Sequence, residues 1–336
     1  MEFQIRLYTQ RDDELLVGLL NEADAVDRME QGTSLPELRE LLAMPELDPE
    51  QNVFVAEAEN GRMAAMGRVR LHLDEGNHGF RSWFEVHPLY RGQGLEDQML
   101  ARLQQRAKER LSQVKTARVY FACEGHMAYE DKLQAMERAG MRELRRFWVM
   151  VRPKLETLPA PQFPDNLIVR TLHLGEDDAE ALDAMNDSFS EHFGHTEETL
   201  ESFQYYLHSI LYHPELTVLA IDPAHNRIAG FCHITINAGE CERIGRKRGW
   251  IDILGVRKQY RRQGLGEALI LQGMHNLRRA EMVEAALGCD SENTTNATAL
   301  YFRTGFQVKK TVIVFSKWLR EPASETKPEP VLEIKD

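Results

Sequence analysis

The sequence has little cysteine and no long apolar run. Its four cysteines are scattered among 336 residues without a C-x-x-C pair, which argues against both a disulfide framework and a zinc site. No stretch approaches the roughly 20 apolar residues that a membrane-spanning helix needs. The opening residues, MEFQIRLYTQRDDELL, lack the pattern of a secretory signal. We therefore expect a cytoplasmic protein with reduced thiols, no metal and no membrane partner.

An excess of basic residues is also missing. The chain carries 41 lysines and arginines against 53 aspartates and glutamates, a net charge of −12. Because nucleic-acid phosphates are bound by basic surfaces, this balance argues against a nucleic-acid partner. The field of an acidic cleft instead favours a small cationic partner.

One glycine-spaced hexapeptide occurs twice, as RGQGLE at 91–96 and as RRQGLG at 261–266. The longer segments VHPLYRGQGLED and VRKQYRRQGLGE match at an offset of 170 residues. RAGM at 138–141 answers RTGF at 303–306 at an offset of 165, and QIRLYT answers IVRTLH at an offset of 164. Three matches in the same order indicate two copies of one domain.

The boundary between the copies is marked by proline. Four prolines lie within 152–164, and proline disfavours both helix and central strand. We expect a first domain at 1–153, a linker at 154–164 and a second domain at 165–320. The polar residues 321–336 are expected to form a flexible tail.

Hydrophobic patterning in the second copy predicts an α/β fold with a mixed sheet. The segments TVLAID and IAGFCHITI flank the turn AHNR, which is typical of a β-hairpin. GWIDILGV is predicted to be a buried strand, and residues 267–280 a helix with one apolar face. A short helix is expected at 296–303.

A strand ending at Val256, followed by RRQGLG and a helix, is an arrangement that can hold a phosphate. Glycines allow close backbone approach, and free amides at a helix N-terminus point at an anion. The alternative is a tight turn without a ligand, since short glycine motifs occur widely. The loop lacks the GK[ST] of a Walker motif and the third glycine of the dinucleotide fingerprint.

The spacing Arg261-x-x-Gly264-x-Gly266 resembles motif A of the GCN5-related N-acetyltransferases (GNAT), where this loop holds the pyrophosphate of acetyl-CoA. ALYFRTGF at 299–306 is similar to the LYxxxGF signature of that family. The resemblance covers both copies, and the tandem arrangement is similar to that of mycothiol synthase and related two-domain members. It implies two tandem GNAT-like domains, each a mixed, largely antiparallel central sheet flanked by helices.

The resemblance also implies site residues in the second copy. Tyr301 would protonate the departing CoA thiolate, unless it is simply a core tyrosine. The residues implied in binding acetyl-CoA are Leu254, Val256, Arg261, Arg262, Gln263, Gly264, Leu265, Gly266 and Asn293. Asn293 lies one residue from the expected slot, so Asn296 is an alternative.

The general base is left open by the resemblance, because Trp250 stands where many members carry glutamate. Asp252 lies two residues on, and therefore on the same face of the strand. A buried aspartate is costly unless it is paired or functional, so Asp252 is our candidate base. The alternatives are a salt bridge to an arginine of the GRKRG segment, or an anchor for the acceptor's ammonium group.

Other polar residues near the expected acceptor site have weaker claims. His192 and His195 could act as a base or an anchor, although surface or capping roles are more common. Glu240 and Glu242 could attract a cationic acceptor, but we interpret them as solvated loop carboxylates. Lys247 and its arginine neighbours are likewise interpreted as a solvated loop.

In the first copy, Glu96 replaces Gly266 and is followed by Asp97. An acidic side chain then lies where the pyrophosphate would bind, and it can itself complement the helix dipole. Met136 stands in place of Tyr301 and cannot donate a proton. We expect the first domain to be a non-catalytic support, although a weak CoA site there stays open.

The expected function is acetyl transfer from acetyl-CoA to a small-molecule amine, by a monomer or homodimer. One alternative is acetylation of a protein or peptide amine. Another is a CoA-binding regulator without turnover. A sugar acceptor of the mycothiol type is suggested only by the analogy of architecture.

Overall fold

The computed structural model describes residues 3–30, 32–44, 47–72, 78–116, 118–191, 197–293 and 297–321. The described residues up to Phe147 and those from Lys310 onward form one compact unit. Residues Trp148–Lys309 form the other. We call these the first unit and the second unit.

Helices and strands follow one another in similar order in the two halves of the chain. The first half contains β1 (Phe3–Leu7), α1 (Asp13–Asp27), α2 (Leu35–Leu42), α3 (Pro49–Asn52), β2 (Val53–Ala58), β3 (Met63–His72), β4 (His78–Val86), α4 (Leu95–Glu109), β5 (Val119–His126), α5 (Glu130–Arg138) and β6 (Arg142–Pro153). The second half contains β7 (Ile168–Thr171), α6 (Asp178–Phe189), α7 (Leu200–Leu207), β8 (Val218–Asp222), β9 (Arg227–Thr235), α8 (Ala238–Ile244), β10 (Arg248–Val256), α9 (Leu265–Arg279), β11 (Glu284–Asp290), α10 (Ala297–Arg303) and β12 (Gln307–Arg320).

Each unit has a mixed, largely antiparallel sheet, as the sequence predicts. The strand order is β1-β2-β3-β4-β5-β12 in the first unit and β6-β11-β10-β9-β8-β7 in the second. Neighbours β4 and β5 are parallel in the first unit, as are β10 and β11 in the second. The other pairs for which a register is defined are antiparallel.

The last strand of each sheet comes from the distant part of the chain. Strand β12 pairs with β5, and its Ile313 and Phe315 are buried in the core of the first unit. The end of β6 lies in the second unit, where Met150 is buried. The boundaries expected from the sequence, 1–153 and 165–320, place each of these strands with the opposite domain.

Helix α9 packs on one face of the second unit's sheet. Its side chains Leu269, Met274 and Leu277 are fully buried there, which confirms the apolar spacing seen in the sequence. A Cβ atom added at Gly273 would lie 2.6 Å from Cys232 Sγ, so glycine allows this close approach of helix and sheet. Helices α6 and α7 cover the opposite face with a separate apolar cluster.

None of the helices in the described part of the chain is long and apolar enough to cross a lipid bilayer.

The position of β12 makes the stability of the first unit depend on a residue near the end of the chain. Phe315 is 4% exposed in that core, and removing a buried phenylalanine side chain costs about 3–5 kcal/mol. We expect Phe315→Ala to increase hydrogen exchange of the β5 amides, measured by mass spectrometry. Phe302→Ala is the control, because Phe302 is 49% exposed. Faster exchange in β11 with β5 unchanged would contradict the assignment of β12.

Candidate active site

The two parallel strands of the second unit separate part of the way along their length. Their pairing joins Arg248–Trp250 to Glu284–Ala286. Both strands continue, to Val256 and to Asp290, and the structure describes them in full without further pairs between them. Backbone N–H and C=O groups seek partners, so this edge of β10, which includes Leu254 and Val256, is available to a ligand.

The turn that follows β10 leaves open space at two glycines. Gly264 precedes α9 with a φ of 80°, a left-handed conformation that favours glycine. A Cβ added there would have nothing within 4 Å, and one added at Gly266 would meet Leu300 at 3.5 Å. Because the first amides of a helix have no intrahelical partner, the start of α9 offers N–H donors to an anion.

The arginine of this turn is held by the protein itself. Arg261 donates from Nε to the Val256 carbonyl at 3.0 Å and from Nη2 to the Ser188 carbonyl at 2.7 Å. Its Nη1 lies 2.8 Å from Glu191. Arg261 therefore braces the turn, and its charge is already countered by a carboxylate.

The remaining residues of the turn contribute mainly through their backbone. Arg262 is exposed and has a φ of 60°. Gln263 donates to the Gln259 carbonyl at 3.2 Å, and Leu265 is buried in the core. The turn thus presents amides and open space rather than a cluster of free side chains.

The first unit builds the same turn but closes it. Arg91 donates from Nε to the Val86 carbonyl at 3.0 Å, exactly as Arg261 does to Val256. Glu96 is 1% exposed, and its Oε1 accepts from the Gly92 amide at 3.1 Å and from the Tyr129 hydroxyl at 3.0 Å. A buried carboxylate therefore occupies the start of α4.

The other two replacements in the first unit also have structural partners. Asp97 pairs with Arg138 at 2.7 Å. Met136 is fully buried in the core of the first unit. Neither side chain offers an acid in the place of Tyr301.

Tyr301 lies on α10 and is almost completely buried. Its ring packs edge-on against Phe306, with centroids 6.2 Å apart. Burial raises the pKa of the Tyr301 hydroxyl above its ordinary value, and the nearby Cys289 and Cys232 act in the same direction. The hydroxyl therefore stays protonated at neutral pH, as an acid for a thiolate must be.

Asp252 is the extra residue of a β-bulge. Ile251 pairs with Ile234 and Ile253 pairs with His233, which leaves Asp252 without a partner on β9. Bulges re-aim side chains and are common beside active sites. Burial raises the pKa of Asp252 to about 6, and the nearby Tyr206 hydroxyl opposes part of that rise. The carboxylate can therefore accept a proton near neutral pH.

Aromatic side chains surround this region on the face covered by α7. His233 Nδ1 lies 2.8 Å from the Tyr212 hydroxyl, and burial lowers the pKa of His233 to about 3. The Tyr206 ring lies 5.8 Å from His233 and 5.1 Å from Tyr212. The histidine is therefore neutral, and Asp252 is the group in this cluster that can carry charge.

The salt-bridge alternative for Asp252 finds no support among the described residues, where no ion pair reaches its carboxylate. Arg248 pairs instead with Glu240 at 3.1 Å and with Glu284 at 2.7 Å. Lys247 is exposed and pairs with Glu281 at 2.7 Å.

The interpretation of Glu240 as a solvated loop carboxylate is wrong, and so is that of Arg248 as part of a solvated loop. Glu240 lies on α8, is buried, and accepts from the Trp250 indole at 2.7 Å. The short helix begins after Asn237, whose side chain accepts from the Glu240 amide, and ends at Gly245 with a φ of 66°. These cap residues are the sequence signal that predicts the helix.

Three further candidates differ in what can be said of them. Glu242 is exposed, as expected. The Asn293 amide donates to the Asp290 carbonyl at 3.2 Å in the turn after β11. His192, His195 and Asn296 lie outside the described residues.

Comparison with known proteins gives consistent matches. The model of the acetyltransferase (GNAT) family matches residues 19–126 and 180–306. A mycothiol acetyltransferase from Thermobifida fusca is 28% identical over 193 residues, which are 53% of this chain and 59% of the relative. The chain thus spans less than two thirds of that relative's length. A mycothiol acetyltransferase from Salinispora tropica is 26% identical over 88% of this chain and 89% of its own.

A solved structure extends the similarity to nearly the whole chain. The crystal structure of a GCN5-related N-acetyltransferase from Sphaerobacter thermophilus has a TM-score of 0.78 and 26% sequence identity. The match covers 96% of this chain and 98% of that one.

The raised pKa of Asp252 predicts a pH-dependent effect on stability. The folded chain holds this proton more tightly than the unfolded chain does, so the contribution of Asp252 to stability falls as pH rises from about 4 to about 6. Asp252→Asn should therefore raise the Tm more at pH 7.5 than at pH 4. Calorimetry at both pH values measures this, with exposed Asp165→Asn as the control. An equal change in Tm at the two pH values would contradict the raised pKa.

Proposed function

Because the chain belongs to the acetyltransferase (GNAT) family, we propose that its second unit transfers an acetyl group from acetyl-CoA to a primary amine of a small molecule. The observation that carries the proposal is the open turn at Gly264 and Gly266 beside the separated ends of β10 and β11. In the first unit, Glu96 fills the matching place. We propose that the first unit is a non-catalytic support.

The donor would be held mainly by backbone groups. The amides at the start of α9 suit the pyrophosphate of CoA, and the unpaired edge of β10 at Leu254 and Val256 suits the pantetheine arm. Amides fixed in a strand also suit the thioester carbonyl, because preorganised N–H groups stabilise an oxyanion without reorganising. Arg261 would act indirectly, by fixing the turn.

Two side chains would manage the protons. Asp252 accepts a proton from the acceptor's ammonium group, and the amine nitrogen then attacks the thioester carbonyl carbon. As the carbon–sulfur bond breaks, Tyr301 donates its proton to the sulfur. The opposite pKa requirements of a base and an acid match the different surroundings of these two groups.

The acceptor class follows from the relatives and from charge. Relatives named mycothiol acetyltransferase make an amine of the mycothiol type the first acceptor to assay. The net charge of −12 favours a cationic amine. With four free cysteines in the structure, we propose that the reaction takes place in the cytoplasm.

The open turn predicts one acetyl-CoA site per chain, lost when a carboxylate is placed at Gly266. Gly266→Glu reproduces the arrangement of the first unit, and we expect it to weaken acetyl-CoA binding at least a hundredfold in calorimetric titration. Gly266→Ala is the matched control, because its Cβ would make only ordinary contacts; its affinity should stay within a few-fold. Two sites would make the first unit a working half, and no site would overturn the transferase proposal.

Tyr301→Phe tests the acid. The phenylalanine ring fills the same space but cannot donate a proton, and loss of a general acid typically costs roughly 10²–10⁴-fold in rate. We expect kcat to fall by that order while the Kd of acetyl-CoA is unchanged. Turnover as fast as the parent's across the pH range would remove Tyr301 from the mechanism. Binding of acetyl-CoA without turnover on any amine or peptide would favour the regulator instead.

A further inference from the structure

Three arginines lie together on one face of the first unit's sheet, away from the elements used by the proposed reaction. Arg68 and Arg70 are on β3, and Arg81 is on β4. The register places Arg70 directly opposite Arg81, and Arg68 opposite Trp83. Residues two apart on a strand share a face, so the three side chains leave the sheet on the same side. We call this set the arginine face.

The charges of the arginine face lack matching acceptors. Arg81 Nε and Nη2 are buried and have no hydrogen-bond partner. Arg68 Nη1 lies 3.9 Å from the Met44 sulfur, a weak acceptor, and its guanidinium lies 5.9 Å from the Trp83 ring centroid. Unpartnered buried donors and like charges placed opposite each other on a sheet both destabilise a fold.

The electrostatics of Arg68 point the same way. Burial and the charge of Arg70 lower the pKa of Arg68 to about 10, against the opposing influence of Glu124 on β5. A guanidinium whose pKa falls on folding is short of negative charge. An anion bound at this face would supply that charge.

The second unit shows what the corresponding face does in the other copy. Ala65 pairs with Val86 in the first unit as Gly230 pairs with Val256 in the second. Counting back along both ladders, the arginine face falls on the positions of His233, Thr235 and Trp250. Asp252, inserted as a bulge, has no counterpart in the first unit. Around the face that carries the candidate base in one copy, the other copy therefore carries three cations.

We propose that the arginine face of the first unit binds the oxyanion group of a small molecule, a carboxylate or a phosphate. A guanidinium presents a planar fork of donors that matches either group in a bidentate manner. Trp83, partly exposed beside Arg68, would give the bound molecule an apolar contact. This site is separate from acetyl transfer in the second unit.

The negative charge could also come from the chain itself. The segment between β3 and β4 carries Asp74 and Glu75, which lie outside the described residues. The experiment therefore has to distinguish a free oxyanion from these two side chains.

The test is calorimetric titration of the full chain with inorganic phosphate and, separately, with succinate, at ionic strength held constant with sodium chloride. We expect one saturable site for at least one of the two anions. Arg81→Met should weaken its Kd at least tenfold, and Arg68→Met serves as an independent second variant. The matched control is Arg142→Met, which removes a charge from an exposed strand position of the same unit and should leave the Kd within twofold.

Thermal unfolding without ligand gives a second readout. Arg81→Met should have a Tm equal to or above that of the parent, because it removes buried donors that lack partners. Binding that does not saturate, or that is the same in all variants, would overturn the proposal. Binding that appears only after the double substitution Asp74→Asn and Glu75→Gln would overturn it as well, since the chain would then fill its own site.

Discussion

The point at which β10 and β11 stop pairing is the constraint on which the second unit depends. A sheet interior normally satisfies every backbone donor and acceptor, but here the ladder ends after Trp250 and Ala286 while both strands continue. The free edge of β10, the start of α9 and the hydroxyl of Tyr301 are all tied to this region of the unit. Chemistry at such a site can rely on fixed backbone dipoles, which need no reorganisation.

The two copies show how one residue changes the use of a common turn. Both retain the arginine that donates to the last carbonyl of the preceding strand, at 3.0 Å in each case. The arginine therefore serves the geometry of the turn, whichever ligand is or is not bound. What differs is the first helical turn, where Gly266 leaves space and Glu96 accepts from Gly92 and Tyr129. A carboxylate already satisfied in this way both fills the site and repels a second anion.

Local patterns in the sequence were enough to predict the turn, the central strand and α9, because each depends on nearby residues. Glu240 was misplaced because its role depends on Trp250 and Arg248, ten and eight positions away. The location of β12 could not be predicted, since a strand's apolar pattern does not say which sheet it joins. The bulge at Asp252 was also invisible, because it is defined only by the partner residues on β9.

That bulge also explains how one fold can carry opposite charges at corresponding places. An inserted residue shifts the alternation of a strand, so positions on the two sides of it exchange faces. In β10 the insertion places Asp252 beside Tyr206 without disturbing Leu254 and Val256. Strand β4 pairs regularly, and its Arg81 stays opposite Arg70. A duplicated domain can therefore change the charge of its sheet face with a single insertion and a few substitutions, while the core beneath α4 or α9 is preserved.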